Sequence, residues 1–266
     1  MSTGLIQRVL QNAIERRQRI LSGKVNCIPS PFKAFRYDYP GVELGTYYLI
    51  SGGAKASKSK IANFLFLFNT ILYAYEHPGL VRLKIFYALL EEKAENITGK
   101  FICFLLYKLS GGKIRIDIKT FKSVDASRVL SQEILDLLNT LEYQSILNFF
   151  EEHVEWISDR NPTGIYNVLR AYAEEHGTIH NKKVKGYDKE KFDYYEPNDP
   201  DEYVLCIIDH IGLISTERGM DLRNSIKKLS EYLKIVRNKF NYVPVVVQQQ
   251  NSETLSLEAF KANKIR

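Results

Sequence analysis

The sequence predicts an α/β fold, a mostly parallel sheet with helices on both faces, and three observations carry that prediction. Short apolar runs at 46–51, 83–88, 204–208 and 243–247 alternate with segments of helical periodicity, the pattern of a sheet covered on both sides. The first run leads directly into Gly52-Gly53-Ala54-Lys55-Ala56-Ser57-Lys58-Ser59 and then Ile61-Ala62-Asn63-Phe64, so strand, glycine-containing loop and helix arrive in that order. The third run, Val204-Leu205-Cys206-Ile207-Ile208, ends in Asp209, which places a carboxylate at the sheet edge where the loop also emerges.

The first element is a helix. From Gly4 to about Leu21, Leu5, Ile6, Val9, Leu10, Ala13, Ile14 and Ile20 recur at helical spacing with basic residues between them. Pro29 and Pro31 then interrupt the chain. Residues 1–27 are therefore expected to be a helix plus connection, and 28–266 the body. The helix must bury its apolar face on its own domain or on a neighbouring subunit. Within the body, helices are expected at about 58–75, 93–108, 126–139, 141–152, 163–175 and 218–239.

The stretch 177–202 differs in composition: His180 to Lys189 is mostly basic and Asp193 to Glu202 acidic. It reads as an exposed loop, whose basic half offers a second reading as a nucleic-acid contact. Leu255 to Arg266 follow the last strand without supplying another, so the body is expected to lack its C-terminal strands.

Composition narrows the class. A chain of 266 residues, 45% of them hydrophobic, accommodates one large domain or one domain with a small appendage. A net charge of +6 is compatible with a polyanionic partner without requiring one. Cys27, Cys103 and Cys206 have no pairing spacing and are expected to be reduced, as in a cytoplasmic protein. No apolar run reaches membrane-spanning length.

The loop carries the chemistry. In G-x-x-x-x-G-K-[ST], backbone N–H groups surround phosphates, a lysine reaches them, and a hydroxyl ligates Mg²⁺. Gly52 opens such a loop, while Lys58 and Ser59 fill its last two roles. Ser57 stands where the second glycine belongs, and serine at positive φ costs roughly 1 kcal/mol. Asp209 at a strand end would share the Mg²⁺ with Ser59, which points to ATP or GTP hydrolysis. The residue after Asp209 is His210 rather than glutamate, so a general base must come from elsewhere. Glu91 and Glu92, beyond the 83–88 run, would supply it if that strand lies next to the loop strand. Spacing leaves both open. Gln248-Gln249-Gln250 after the last strand are amides placed to sense a phosphate.

Taken together, these residues resemble the ATPase domain of hexameric replicative DNA helicases of the DnaB type, within the RecA-like superfamily. Ile28-Pro29-Ser30-Pro31-Phe32 is similar to that family's "IPTGF" lead-in, and Leu90-Glu91-Glu92-Lys93-Ala94-Glu95-Asn96-Ile97 to its "LEMSAEQL". Asp159-Arg160-Asn161-Pro162-Thr163-Gly164-Ile165 resembles the family's entry to the helix before the aspartate strand. Ile207-Ile208-Asp209-His210-Ile211-Gly212-Leu213 resembles "IIDYLQL", and Gln248-Gln249-Gln250-Asn251 resembles the "SQLNR" ending.

The resemblance spans about residues 28 to 250. It implies a RecA-like P-loop core with ATP and Mg²⁺ as cofactors, Glu91 as catalytic base, and Gln250 as phosphate-sensing glutamine. It also implies a homo-oligomeric ring, a hexamer, hydrolysing ATP between subunits and moving along single-stranded DNA. Primase or a helicase loader becomes a partner, and the N-terminal helix corresponds to the linker that packs on the adjacent subunit. The family's DNA-binding loop and the arginine completing a neighbour's site would fall beyond Gln250. Compact members with altered loops suggest a bacteriophage source. Two other expectations stand beside this one: a RecA-like recombinase or packaging ATPase, and a catalytically silent nucleotide-binding assembly protein.

Overall fold

The computed structural model describes residues 4–183 and 190–250. Leu255 to Arg266, on which the expectation of missing strands rests, lie outside the described residues. Five parallel strands form the central sheet: β3 (Tyr48–Gly52), β4 (Arg82–Leu89), β5 (Val154–Ile157), β8 (Glu202–Asp209) and β9 (Val243–Gln249), in the order β3-β9-β8-β4-β5. Two small antiparallel pairs complete the strands: β1 (Ile28–Pro29) with β2 (Gly41–Val42), and β6 (Gly177–Lys182) with β7 (Lys191–Pro197).

Alternation along the strands splits the core into two layers. Ile85, Tyr87, Leu205 and Ile207 point to one face, where they meet α4 (Ala94–Leu109), α7 (Leu141–His153) and the segment after the loop. Phe86, Ala88, Cys206 and Ile208 point to the other, against α8 (Pro162–Glu175) and α9 (Leu222–Phe240). Helical spacing supplies the matching faces. Ile97, Phe101 and Leu105 of α4 are fully buried, as are Leu229 and Val236 of α9. Each such side chain contributes about 1.5–3 kcal/mol on burial. The predicted α/β fold, a parallel sheet with helices on both faces, is the one observed.

Caps explain where helices start. Asn161 accepts a hydrogen bond from Gly164 N–H ahead of α8, and Asp221 accepts one from Asn224 N–H ahead of α9. The latter puts the start of α9 at Leu222, four residues later than the expected 218. The long helix expected at 58–75 is broken into α2 (Lys58–Ala62), a π-helical turn Asn63–Phe68, and α3 (Asn69–Glu76).

Other expectations are corrected. The helix expected over 126–139 is only α6 (Gln132–Leu138), begun by the Ser131 cap and preceded by the one-turn α5 (Ile118–Phe121). Residues 125–128 instead form a turn in which Asp125 accepts from Ser127 N–H. Strand β5 escaped sequence reading because its four residues carry charge at Glu155 and directly follow a helix. The expected loop at 177–202 contains the β6–β7 hairpin. His180 stacks on Tyr194, Lys182 pairs with Asp193 at 2.7 Å, and Lys239 of α9 lies 4.5 Å over the Phe192 ring. Cross-strand pairing and docking on α9 supply what composition concealed.

The N-terminal helix α1 (Leu5–Leu21) forms as expected, but none of its residues is buried among the described residues. Leu5, Ile6, Val9 and Leu10 are all more than half exposed. Only its C-terminal end is tied down: Arg19 and Lys24 both pair with Asp201, at 2.5 and 2.6 Å, and Arg16 pairs with Glu43. Among the described residues, no helix is long and apolar enough to cross a membrane.

Candidate active site

All five strands are parallel, so their C-terminal ends share one edge, and the candidate residues gather there. Gly52 ends β3, Ala54 to Ser57 make the turn, and Lys58 and Ser59 open α2. The turn closes on itself through Ala56 N–H to Gly53 O at 3.4 Å and Ile61 N–H to Ser57 O at 3.0 Å. Two of its residues, Lys55 and Ser57, are left-handed, with φ of 60° and 57°. The sequence expectation for Ser57 is met: it occupies the positive-φ position where glycine is favoured. Lys58 folds back so that Nζ donates to Gly53 O at 2.6 Å, holding its ammonium over the loop.

Across the loop stands Asp209, the last residue of β8 and only 6% exposed. Ser59 Oγ donates to its Oδ1 at 3.0 Å, and the Tyr87 hydroxyl contacts its Oδ2 at 3.4 Å. Tyr87 comes from β4 and also donates to Asn63 Oδ1 at 3.0 Å, which ties the first residue of the π-helical turn into the site. Burial pushes the Asp209 carboxyl above its ordinary range; the Ser59 hydrogen bond acts in the opposite sense, and the nearby charge of Glu91 adds to the rise. Ser59 and Asp209 together form a hard-oxygen donor pair of the type that suits Mg²⁺. This fits the expected metal.

The loop from Ala54 to Lys60, Glu91, Glu92, Asp209 and Gln249 line a single cavity of about 500 Å³. A concavity of about 720 Å³ beside α1 is lined by residues of that helix alone and gathers no comparable chemistry. The expectation that brought Glu91 and Glu92 here required β4 to neighbour β3. It does not: β9 and β8 lie between them. Both glutamates still reach the cavity, because β4 ends at the same edge beside β8. They differ in their partners. Glu92 is paired with Lys100 of α4 at 2.5 Å, whereas Glu91 has no hydrogen bond or ion pair among the described residues and is exposed to the cavity.

At the end of β9 the three amides separate. Gln248 pairs in register with Ser51, Gln249 lines the cavity, and Gln250 gives its backbone N–H to Gly52 O at 2.9 Å. His210 also lines the cavity, and among the described residues its Nδ1 is buried without a partner. Asn63, Tyr87 and Lys100 were not anticipated from sequence. The available signal was Asn63 itself, a polar residue within an apolar helical run, which must find a partner if buried.

Fold and cavity together describe an α/β protein with a parallel sheet, at one edge of which a glycine-containing loop, a hydroxyl and a carboxylate meet. A solved structure of a DnaB-like replicative helicase, described with its interactions with primase, matches it with a TM-score of 0.58 at 13% identity. The match covers 96% of this chain and 50% of that one, so this chain spans about half the length of that protein. At this identity the likeness is one of fold. No family model matches the chain. No curated protein sequence matches it either.

Proposed function

We propose that this chain is an ATP-hydrolysing motor of the replicative DNA helicase kind, acting on single-stranded DNA. The observation that carries the reading is the 3.0 Å contact between Ser59 and Asp209, made across 150 residues of sequence inside the loop cavity. A hydroxyl opening the helix after a phosphate loop and a carboxylate ending another strand of the same parallel sheet have a shared use in holding the metal of a nucleoside triphosphate.

Each residue then has a role. Backbone N–H groups of Gly53 to Ser57 face the phosphates, and the Lys58 ammonium moves from the Gly53 carbonyl to the terminal phosphoryl oxygens. Ser59 and Asp209 would hold Mg²⁺, which neutralises charge on the phosphates. Glu91, with no competing partner, orients a water and accepts its proton. Gln249 faces the terminal phosphate, and Gln250, whose backbone N–H is tethered to the Gly52 carbonyl, passes the change to the chain that follows. The reading extends to a homo-oligomeric ring, with α1 packing on the neighbouring copy and primase or a loader as partner.

Phosphate release from ATP by the purified chain, with and without single-stranded DNA, tests this. Mass in solution with Mg²⁺ and nucleotide is read alongside. The expected result is DNA-stimulated turnover from a ring-sized assembly, abolished in Lys58→Ala. Nucleotide binding by a monomer without turnover would select the catalytically silent reading and overturn this one.

A further inference from the structure

The connection Asp159-Arg160-Asn161-Pro162 follows β5 and leads into α8 at the same sheet edge as the loop cavity, yet none of its residues lines that cavity. Its backbone is fixed at three points. Asp159 packs against Gly164, where a Cβ would lie 2.8 Å from the Asp159 Cβ. Asn161 caps α8 through the Gly164 N–H. The Arg160 carbonyl accepts the Ser215 N–H at 2.6 Å, and Ser215 belongs to the segment that leaves Asp209 through the short 3₁₀ turn Ile211–Leu213.

The Arg160 side chain reaches the other way. Its Nη2 donates to the carbonyl of Leu90, the residue before Glu91. Leu90 has left the sheet: β4 pairs with β5 as far as Ala88 opposite Ile157, and with β8 as far as Leu89 opposite Asp209. Leu90 is only 3% exposed, so its carbonyl is a buried acceptor without a ladder partner, and Arg160 supplies the donor. Among the described residues this is the one bond the guanidinium makes, and it is charge-assisted. Beyond Glu91, Glu92 is held by Lys100 of α4. Glu91 lies between these two fixed points, unpartnered and facing the cavity.

We infer that Arg160 is a positioning residue that sets the Glu91 carboxylate relative to Asp209. The inference rests on the reading of Glu91 as base. The guanidinium fixes the peptide from which Glu91 projects, and the Arg160 carbonyl fixes the chain that leaves Asp209. The two carboxylates come from neighbouring strands, and one residue ties the exits of both. A proton acceptor displaced by about 1 Å loses roughly a hundredfold in rate. Arg160 does not line the cavity, so its loss acts on turnover and leaves nucleotide binding intact.

Phosphate release and ATP binding by the full chain, with Mg²⁺ and single-stranded DNA, test this in two variants. Arg160→Met keeps the aliphatic stem and removes the donors; Arg160→Lys restores a donor. Arg160→Met is expected to lower kcat at least about tenfold with the ATP Kd within about twofold, and Arg160→Lys to recover part of that loss. Combination with Glu91→Gln separates positioning from mere structure. In single-turnover assays Arg160→Met should slow the Glu91→Gln chain by less than about twofold, because a residue that acts through Glu91 has nothing left to position. Where Arg160→Met misfolds, Arg160→Gln, whose shorter side chain withdraws from Leu90, takes its place. Unchanged kcat, an ATP Kd weakened as much as kcat, or a loss repeated in full in the Glu91→Gln chain overturns this inference alone. A Glu91→Gln chain that turns over at the wild-type rate overturns the choice of base and this inference with it. A wild-type chain that binds ATP without hydrolysing it overturns the motor reading and, through it, this one.

Discussion

Replacing Ser57 by glycine should stabilise the protein, although it deletes a side chain. Ser57 sits at φ 57° and ψ 26°, the left-handed region, where an L-residue pays roughly 1–2 kcal/mol that glycine does not. Its hydroxyl makes no capping bond that would compensate. Glycine also loosens the unfolded chain, which takes back about 0.4–1 kcal/mol. The net gain is about 0.5–1 kcal/mol, and for a chain of this size that is a rise in Tm of about 1–4 °C. Two controls bracket it. Ser57→Val adds a branched Cβ to the same strained geometry and should cost more than about 1 kcal/mol. Ala56→Gly, at a neighbour whose φ is not positive, should cost about 0.5–1 kcal/mol. Thermal unfolding by circular dichroism, without nucleotide, separates the three. If Ser57→Gly melts with or below wild type while Ser57→Val is neutral, the loop is not held in the geometry described, and the reading of Ser57 as a strained substitute for glycine fails.

Other outcomes follow from the same site. Glu91→Gln should retain nucleotide binding and reduce kcat at least about a hundredfold, as expected for loss of a general base, whereas Glu92→Gln should reduce it less than about tenfold because Glu92 is already neutralised by Lys100; equal effects in single-turnover assays would refute the choice of base. Asp209→Asn should abolish Mg²⁺-dependent turnover yet stabilise the metal-free fold at neutral pH by an amount of order 1 kcal/mol. The sign follows from a folded pKa raised above the ordinary 3.8: the unfolded state ionises first, so wild type loses stability as pH rises from about 4 through the folded value and keeps that deficit above it. Urea unfolding in EDTA should show the variant's advantage at pH 7 and its disappearance near pH 4. Gln249→Ala should slow hydrolysis directly, and Gln250→Ala should leave basal hydrolysis closer to wild type while uncoupling it from DNA; the reverse pattern in phosphate-release assays would exchange their roles.

The candidate site was legible wherever chemistry is tied to a position within a single element. Lys58 and Ser59 are fixed to the start of a helix and Asp209 to the end of a strand, and in a parallel sheet every strand ends on the same edge. Their meeting at 3.0 Å required only that the sheet be parallel. The same argument explains why Glu91 arrived despite a wrong premise. Nothing in an apolar run states which strand lies beside it, and β9 and β8 came between β3 and β4. Order decided the neighbours, but the shared edge decided the cavity.

What stayed hidden depends on order. Tyr87 reaches Asp209 because β4 pairs with β8, Leu89 opposite Asp209. Asn63 reaches Tyr87 because a π-helical turn begins at that residue. Lys100 pairs with Glu92 only once α4 has folded back beside the strand end. The contacts of Asn63, Tyr87 and Lys100 are therefore products of the fold rather than of any motif. A chain with the same loop and aspartate but another strand order would still bring Ser59 and Asp209 to one edge and would lose the Tyr87 contact to Asp209, because that contact needs β4 beside β8.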